Sequence, residues 1–242
     1  FHEYEVIFIY ASDVLMVLFL FSTLRNTENL QIYRIPFPYI CTKSVFCSLG
    51  IFLVLAALSI FFAFSKGLAI YNFARLLLLI LTALATARLL KSGIVKLENI
   101  FAVLAGSAVF QALIGIAQFF KQSSLGLGIL GEPVLGADIG GAAKIVVEGA
   151  KILRAYGTFP HPNVLAAFLL IGLCAFYYFW IKKPSIVSGV GIFAVFLGLL
   201  FAFSRTSWVI SILINLAVVL YYRNWKLAIL ASAIFAILLL GF

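Results

Sequence analysis

Apolar residues in this chain neither alternate with polar ones nor recur at helical spacing; they continue, almost unbroken, through eight stretches. The stretches are approximately Glu5–Phe21, Val45–Phe64, Ala69–Ala87, Asn99–Phe120, Asn163–Ile181, Ile186–Phe203, Ser207–Tyr222 and Lys226–Gly241. A helix needs roughly 20 apolar residues to cross about 30 Å of hydrocarbon, and these runs meet that need repeatedly. A β-barrel would show short alternating segments, and a soluble helical bundle would carry polar faces at a 3.6-residue period. The pattern predicts an all-α membrane protein, a polytopic transmembrane helix bundle of about eight spans.

The longest connection, residues 121–162, lies between the fourth and fifth runs and holds eight glycines. Within it, KIVVEGAKIL sets two apolar stretches on either side of Glu148-Gly149, which predicts a small β-hairpin with a tight turn there. The connection ends in RAYGTFPHPN, from Arg154 to Asn163, a polar and conformationally restricted elbow at the mouth of the fifth run. Gly157 permits a backbone geometry that a side chain would forbid. Pro160 and Pro162 fix φ and carry no N–H. Pro162 suits a helix start, and Asn163 is read as the cap of the first turn.

Composition agrees with the pattern: 65% of the 242 residues are hydrophobic and 10% are charged, with a mean hydropathy of +1.20. The net charge of +9 does not point to nucleic acid, because the basic residues sit singly or in pairs in short connections. Their first meaning is orientation. With the first residues outside, ten fall inside (Arg25, Arg34, Lys43, Arg88, Lys91, Lys96, Lys182, Lys183, Arg223, Lys226). Seven fall outside (Lys66, Arg75, Lys121, Lys144, Lys151, Arg154, Arg205), four of them in the long connection, where the rule counts less. Residues 121–162 then form an external loop. Cys41, Cys47 and Cys174 have no metal-ligand spacing and are read as small buried hydrophobes. The whole of 1–242 is read as one transmembrane domain. Because it opens on Phe1 and stops at Phe242 inside an apolar run, it is expected to be the N-terminal part of a longer protein.

In this topology the elbow enters the fifth span from the outer face, and the sixth span returns to that face at FAFSRTSW, residues 201–208. Arg154 and Arg205 thus lie at one membrane surface. Two guanidiniums there can grip a phosphate or diphosphate, since each is a fixed fork of donors that keeps its charge. An arginine as close to hydrocarbon as Arg205 is a functional-site hypothesis by default; the plainer reading is a side chain snorkelling to headgroups.

These residues carry a resemblance. An R-A-x-G-T-F-x-x-P-N elbow, followed after one helical hairpin by S-R-[GT]-[SA]-W, resembles the O-antigen ligase and O-antigen polymerase family of polytopic bacterial envelope glycosyltransferases. The matching residues are Arg154, Ala155, Gly157, Thr158, Phe159, Pro162 and Asn163, then Ser204, Arg205, Thr206, Ser207 and Trp208. The span bearing Gln111 and Gln118, with Lys121 beyond it, is also similar to the one before the family's elbow. The resemblance runs from about Ala69 to the end. It implies transfer of a glycan from undecaprenyl diphosphate to an acceptor glycan, lipid or protein, on the outer face of the bacterial cytoplasmic membrane. It implies no metal or other cofactor. Arg205 matches the motif arginine that stabilises the departing diphosphate, with Arg154 assisting. The family's acid/base histidine lies in a large external loop further along the chain, and this sequence ends before such a loop.

Other polar residues have two readings each. His161 lies seven residues from Arg154 on the same surface and is a candidate acid/base, or an ordinary interfacial residue. Arg75 is either a further substrate contact or a headgroup anchor. Gln111 and Gln118, seven apart on one helix face, either bond between helices or line a path for the glycan. Trp208 either stacks on a sugar or joins Trp180, Trp225, Tyr177, Tyr178, Tyr221 and Tyr222 in an interfacial aromatic belt. The rival function is a transporter or flippase of lipid-linked glycans, in which the arginines bind phosphate without chemistry; paired broken helices in two related halves would favour it, and none is evident. A non-catalytic membrane scaffold would leave both arginine motifs unexplained.

Overall fold

The computed structural model describes residues 16–22, 43–147 and 149–222, and the chain divides into two compact units at Leu97 and Glu98. In the first unit, residues 16–22 are helical. They are followed by α1 (Lys43–Ser59), a single 3-10 turn at Ile60–Phe62, and α2 (Lys66–Lys91). The second unit contains α3 (Leu97–Lys121), a 3-10 turn at Gly128–Leu130, β1 (Lys144–Val147) and β2 (Ala150–Leu153). Helices α4 (Pro162–Lys182), α5 (Ile186–Phe201) and α6 (Arg205–Tyr222) complete it.

Among the described residues four helices, α2, α3, α4 and α6, are long and apolar enough to cross a membrane; Cys47–Phe62 and Ile186–Phe201 are shorter apolar helices. Six of the eight apolar runs thus coincide with helices. The first run lies outside the described residues except at its end, and the eighth, Lys226–Gly241, lies wholly outside them. The hairpin forms as its sequence predicts, antiparallel with Val147 opposite Ala150 and Lys144 opposite Leu153. Gly149 supplies the φ of +83° that the two-residue turn needs.

The second unit buries several polar residues within its apolar core and is apolar on its outside as well. Gln118, Ser188, Ser204, Ser207, Ser211 and Asn215 are buried, while Val103, Phe110, Leu113, Ile171, Val209 and Leu213 are exposed. That distribution suits contact with lipid rather than water. Three helices meet through small residues, as expected where close backbone approach replaces the hydrophobic drive. Ala105, Ala108, Ala112 and Gly115 line one side of α3 and are buried or nearly so. A Cβ added to Gly172 on α4 would fall 2.1 Å from the Ala108 Cβ, and one added to Gly198 on α5 would fall 2.8 Å from the Ala112 Cβ. Leu165, Leu169 and Leu173 of α4 and Ile192, Val195 and Leu199 of α5 fill the core beside that seam. Asn215 of α6 accepts from the Tyr177 hydroxyl of α4 and donates to the Ser211 carbonyl at 2.7 Å.

Three expectations are corrected. Tyr177 is not in an interfacial belt but buried between helices, because Asn215 offers its hydroxyl a partner there. Cys47 and Cys174 are exposed, since an apolar position on such a helix can face outward as readily as inward; Cys41 and Trp225 lie outside the described residues. Arg205 is the first residue of α6 rather than part of a connection, the sixth run ending earlier, at Phe201.

Candidate functional site

The chain between β2 and α4 runs down the side of α3, and its backbone polar groups are met by three glutamines. Leu153 N donates to Gln122 Oε1 at 2.6 Å. Tyr156 N and Gly157 N donate to Gln118 Oε1 at 3.1 and 2.8 Å. Gln118 Nε2 returns a bond to the Gly157 carbonyl at 2.8 Å. Lower still, Thr158 N donates to Gln111 Oε1 at 2.9 Å, and Gln111 Nε2 donates to Thr158 Oγ1 at 2.8 Å. Gln111 is ten residues before the end of α3, which along a helix is about 15 Å. The elbow is therefore a dip of non-helical backbone beside an apolar helix. Such backbone is tolerated at membrane depth only where protein satisfies it, and that is what the glutamines do.

Gly157 lies near the bottom of the dip. Its φ is +61°, and an added Cβ would lie 2.6 Å from Gln111 Oε1 and 3.1 Å from Leu165 Cδ1. Handedness and space both demand glycine. Gln118, with no exposed surface, also donates to Glu132 Oε1 at 2.8 Å. Glu132 in turn accepts from Leu125 N and Leu127 N, each at 2.6 Å. Burial alone would raise the pKa of this carboxyl, but the bonds from Leu125, Gln118, Leu127 and Gly126 outweigh it and the net shift is downward. Glu132 stays ionised and ties the 125–132 turn to α3. Nothing in the periodicity marked it: it is an acid in a glycine-rich loop, and only its three-dimensional donors give it a role.

Above the dip, both arginine motifs close on the C-terminal end of α5. A helix leaves its last carbonyls without intrahelical partners, and here each has one. Leu200 O accepts from Phe203 N at 2.8 Å. Leu199 O accepts from the Trp208 indole N–H at 2.9 Å. Phe201 O accepts from Ala155 N at 2.8 Å, and Ala202 O accepts from Arg154 Nε at 2.8 Å. The first two residues of the elbow and the tryptophan of SRTSW thus cap the same helix end. A cation is favoured there by the helix dipole. Phe203, between the helices, takes a φ of +47°, an uncommon conformation for a bulky residue.

Arg154 also donates from a terminal nitrogen to Asn163 Oδ1 at 2.8 Å. Burial lowers the pKa of its guanidinium, with Tyr156 opposing, yet an arginine remains charged. Arg205, three residues beyond Ala202, is exposed, and none of the described residues pairs with it. It stands at the positive end of α6, where a cation is disfavoured unless an anion joins it. Ser204 and Ser207 share a hydrogen bond at 3.0 Å beside it.

His161, not Asn163, caps α4. Pro162 occupies the first helical position, which holds the preceding residue extended (φ −151°, ψ 142°), and His161 Nδ1 accepts from Asn163 N at 3.2 Å. A neutral ring so engaged carries its proton on Nε2. Asn163 instead orients Arg154. Arg75 lies on α2 in the first unit, with its guanidinium 5.7 Å from the Tyr71 ring centroid. Arg154, Asn163, His161, Gln111, Gln118 and Trp208 are therefore linked through the elbow and the end of α5 in the second unit; Arg205 follows that helix end in sequence at the start of α6, and Arg75 is described apart from them. No group of three or more His, Cys, Asp or Glu able to hold a metal occurs among the described residues.

Fold and site define a helical protein of membrane-like character whose two arginine motifs share one helix end. Comparison with protein-family models, with curated proteins and with solved structures gave no match.

Proposed function

We propose that this chain belongs to an O-antigen ligase-like membrane glycosyltransferase with about eight spans, its arginine corner facing outward from the bacterial cytoplasmic membrane. The donor is a glycan on undecaprenyl diphosphate, and the acceptor a hydroxyl of a glycan, lipid or protein. The observation that carries this reading is the junction at α5. Arg154 caps Ala202, and Arg205 opens the next helix three residues later.

In the reaction, the acceptor oxygen attacks the anomeric carbon as the bond from that carbon to the diphosphate oxygen breaks. The acceptor proton passes to a base, and the lipid diphosphate leaves as an anion. Charge grows on the leaving oxygens, where fixed guanidiniums stabilise the transition state more than the ground state. Arg205 has donors to offer and sits by a helix start whose N–H groups favour anions. Arg154 adds a second positive charge, held in place by Ala202 and Asn163. Gln111 and Gln118 act as positioning residues through the elbow. A base role for His161 requires its bond from Asn163 N to open.

The test is glycan transfer by the full-length protein in proteoliposomes with an undecaprenyl-diphosphate donor, comparing wild type with Arg205→Lys. The lysine keeps charge and loses the fork. Loss of transfer with unchanged expression and folding supports the reading. Unchanged transfer sinks it, and binding of donor without any transfer by wild type would move the assignment to a lipid-glycan transporter.

A further inference from the structure

The connection between α3 and α4 is a folded ledge, not a solvated loop. Leu135, Leu153 and Tyr156 form a small core of their own. The Tyr156 hydroxyl accepts from Ala143 N at 2.5 Å, and Glu132 gathers the 125–132 turn. Yet this ledge turns large apolar side chains outward: Ile129 is 99% exposed, Val134 79% and Val146 69%, with Leu130 at 52%. Large aliphatic side chains turned outward are the reverse of what water selects, and exposed apolar patches mark a partner.

Three observations identify that partner as lipid. The ledge is tied at one end to Lys121 of α3 and at the other to Pro162 of α4, both helices long and apolar enough to cross a membrane. On α3 itself large apolar residues are also exposed, Phe120 at 72% just before the ledge begins. Its charges are few and mixed: Lys121, Lys144, Lys151 and Arg154 against Asp138 and the buried Glu132, with Glu148 outside the described residues. A ledge held at the helix ends, apolar on its free side and nearly balanced in charge, fits the boundary between headgroups and acyl chains.

We propose that residues 125–146 rest in the lipid interface, with Ile129, Leu130, Val134 and Val146 inserted among the upper acyl carbons. This rests on reading α3 and α4 as membrane spans, not on the catalytic assignment. It places a lipid-immersed lip on the chain that leads into the arginine corner.

The experiment is depth-dependent quenching of an environment-sensitive fluorophore on single cysteines of the full-length protein in phosphatidylcholine vesicles. Ile129→Cys and Val134→Cys report the ledge, Asp138→Cys is the polar comparison, and native Cys174, exposed on α4, reports insertion; the other cysteines are replaced by serine. The expected result is blue-shifted emission at 129 and 134 with most intensity lost to a shallow lipid-borne quencher, little loss at 138, and strong loss at 174 to a deep quencher. Quenching at 174 with 129 and 134 no more affected than 138 overturns the proposal while leaving the spans intact. No quenching at 174 overturns the membrane reading itself. Quenching at 129 that appears only at high protein-to-lipid ratio overturns the proposal in favour of contact with a second copy.

Discussion

The two ends of α5 are made by opposite means. At its start the chain turns from α4 through Lys183, Pro184 and Ser185 using neighbours alone. Ser185 Oγ accepts from Ser188 N at 3.2 Å and Ser188 Oγ accepts from Ser185 N at 3.2 Å, a complete capping box. Lys182 at the end of α4 pairs with Glu98 and sits 4.7 Å from the Tyr178 ring centroid. Beside this end lies an apolar groove of about 610 Å³, lined by residues such as Ala105, Gly106, Phe176, Val190 and Ala194. No polar groups converge there. At its other end α5 is finished by residues roughly fifty positions away in sequence, at Arg154 and Ala155, and by Trp208 across a strained turn. A local turn only reverses the chain. A turn completed from elsewhere holds distant groups together, here Arg154 of the elbow and Trp208 of the second arginine motif.

Substitutions should separate the two ends, beginning with the deepest. Gln118→Leu keeps approximate volume but leaves Gly157, Tyr156 and ionised Glu132 short of partners. With a buried unsatisfied polar group costing about 1–3 kcal/mol, the expected loss is several kcal/mol, read as a fall in unfolding midpoint in detergent together with loss of transfer. A stability within experimental error of wild type would remove the glutamine clasp from the account. Gly157→Ala comes next. The left-handed backbone alone costs an alanine about 1–2 kcal/mol, and the contact with Gln111 adds to it; activity should drop more than stability, because the elbow is displaced while the bundle survives.

Trp208→Phe keeps a ring and deletes one hydrogen bond, for a loss of about 1 kcal/mol. Ser185→Ala at the opposite end costs about the same. The contrast lies in coupling. Combined with Arg154→Gln, the Trp208 change should be non-additive, because both act on one helix end, while the Ser185 change should add within about 0.5 kcal/mol. Equal additivity in the two double mutants would erase the distinction drawn here. The smallest effect concerns acid. The folded pKa of Glu132 is lowered, so its contribution to stability is present above the unfolded carboxyl value, near 4.3, and is lost as pH falls through the folded value. Glu132→Gln should flatten that part of the stability profile below about pH 4.3 and change little of its shape near neutrality.

The helices were legible because continuous apolar runs are their own signal, and the hairpin because Glu148-Gly149 between β-branched stretches is a local one. The small-residue seam was not read: Ala105, Ala108, Ala112 and Gly115 look like ordinary apolar positions until Gly172 and Gly198 are seen against them. The elbow was recognisable as a stiff polar segment, but not as a dip, since that depends on Gln111 and Gln118 meeting backbone some forty residues later. Pro162 pointed correctly to the helix start, yet the cap fell to His161, because proline at the first helical position shifts that role one residue earlier. Glu132 and the capping role of Trp208 had no local signature at all.

The most direct test of the central claim, that Arg154 and Arg205 form one anion site through the end of α5, is a double-mutant cycle on diphosphate binding. Inorganic diphosphate would be titrated calorimetrically into the full-length protein in nanodiscs, as wild type, Arg154→Lys, Arg205→Lys and the pair. The account predicts weaker binding in each single variant and a coupling of about 1 kcal/mol or more between them, roughly fivefold in affinity. Strictly additive losses, or binding untouched by either change, would contradict it.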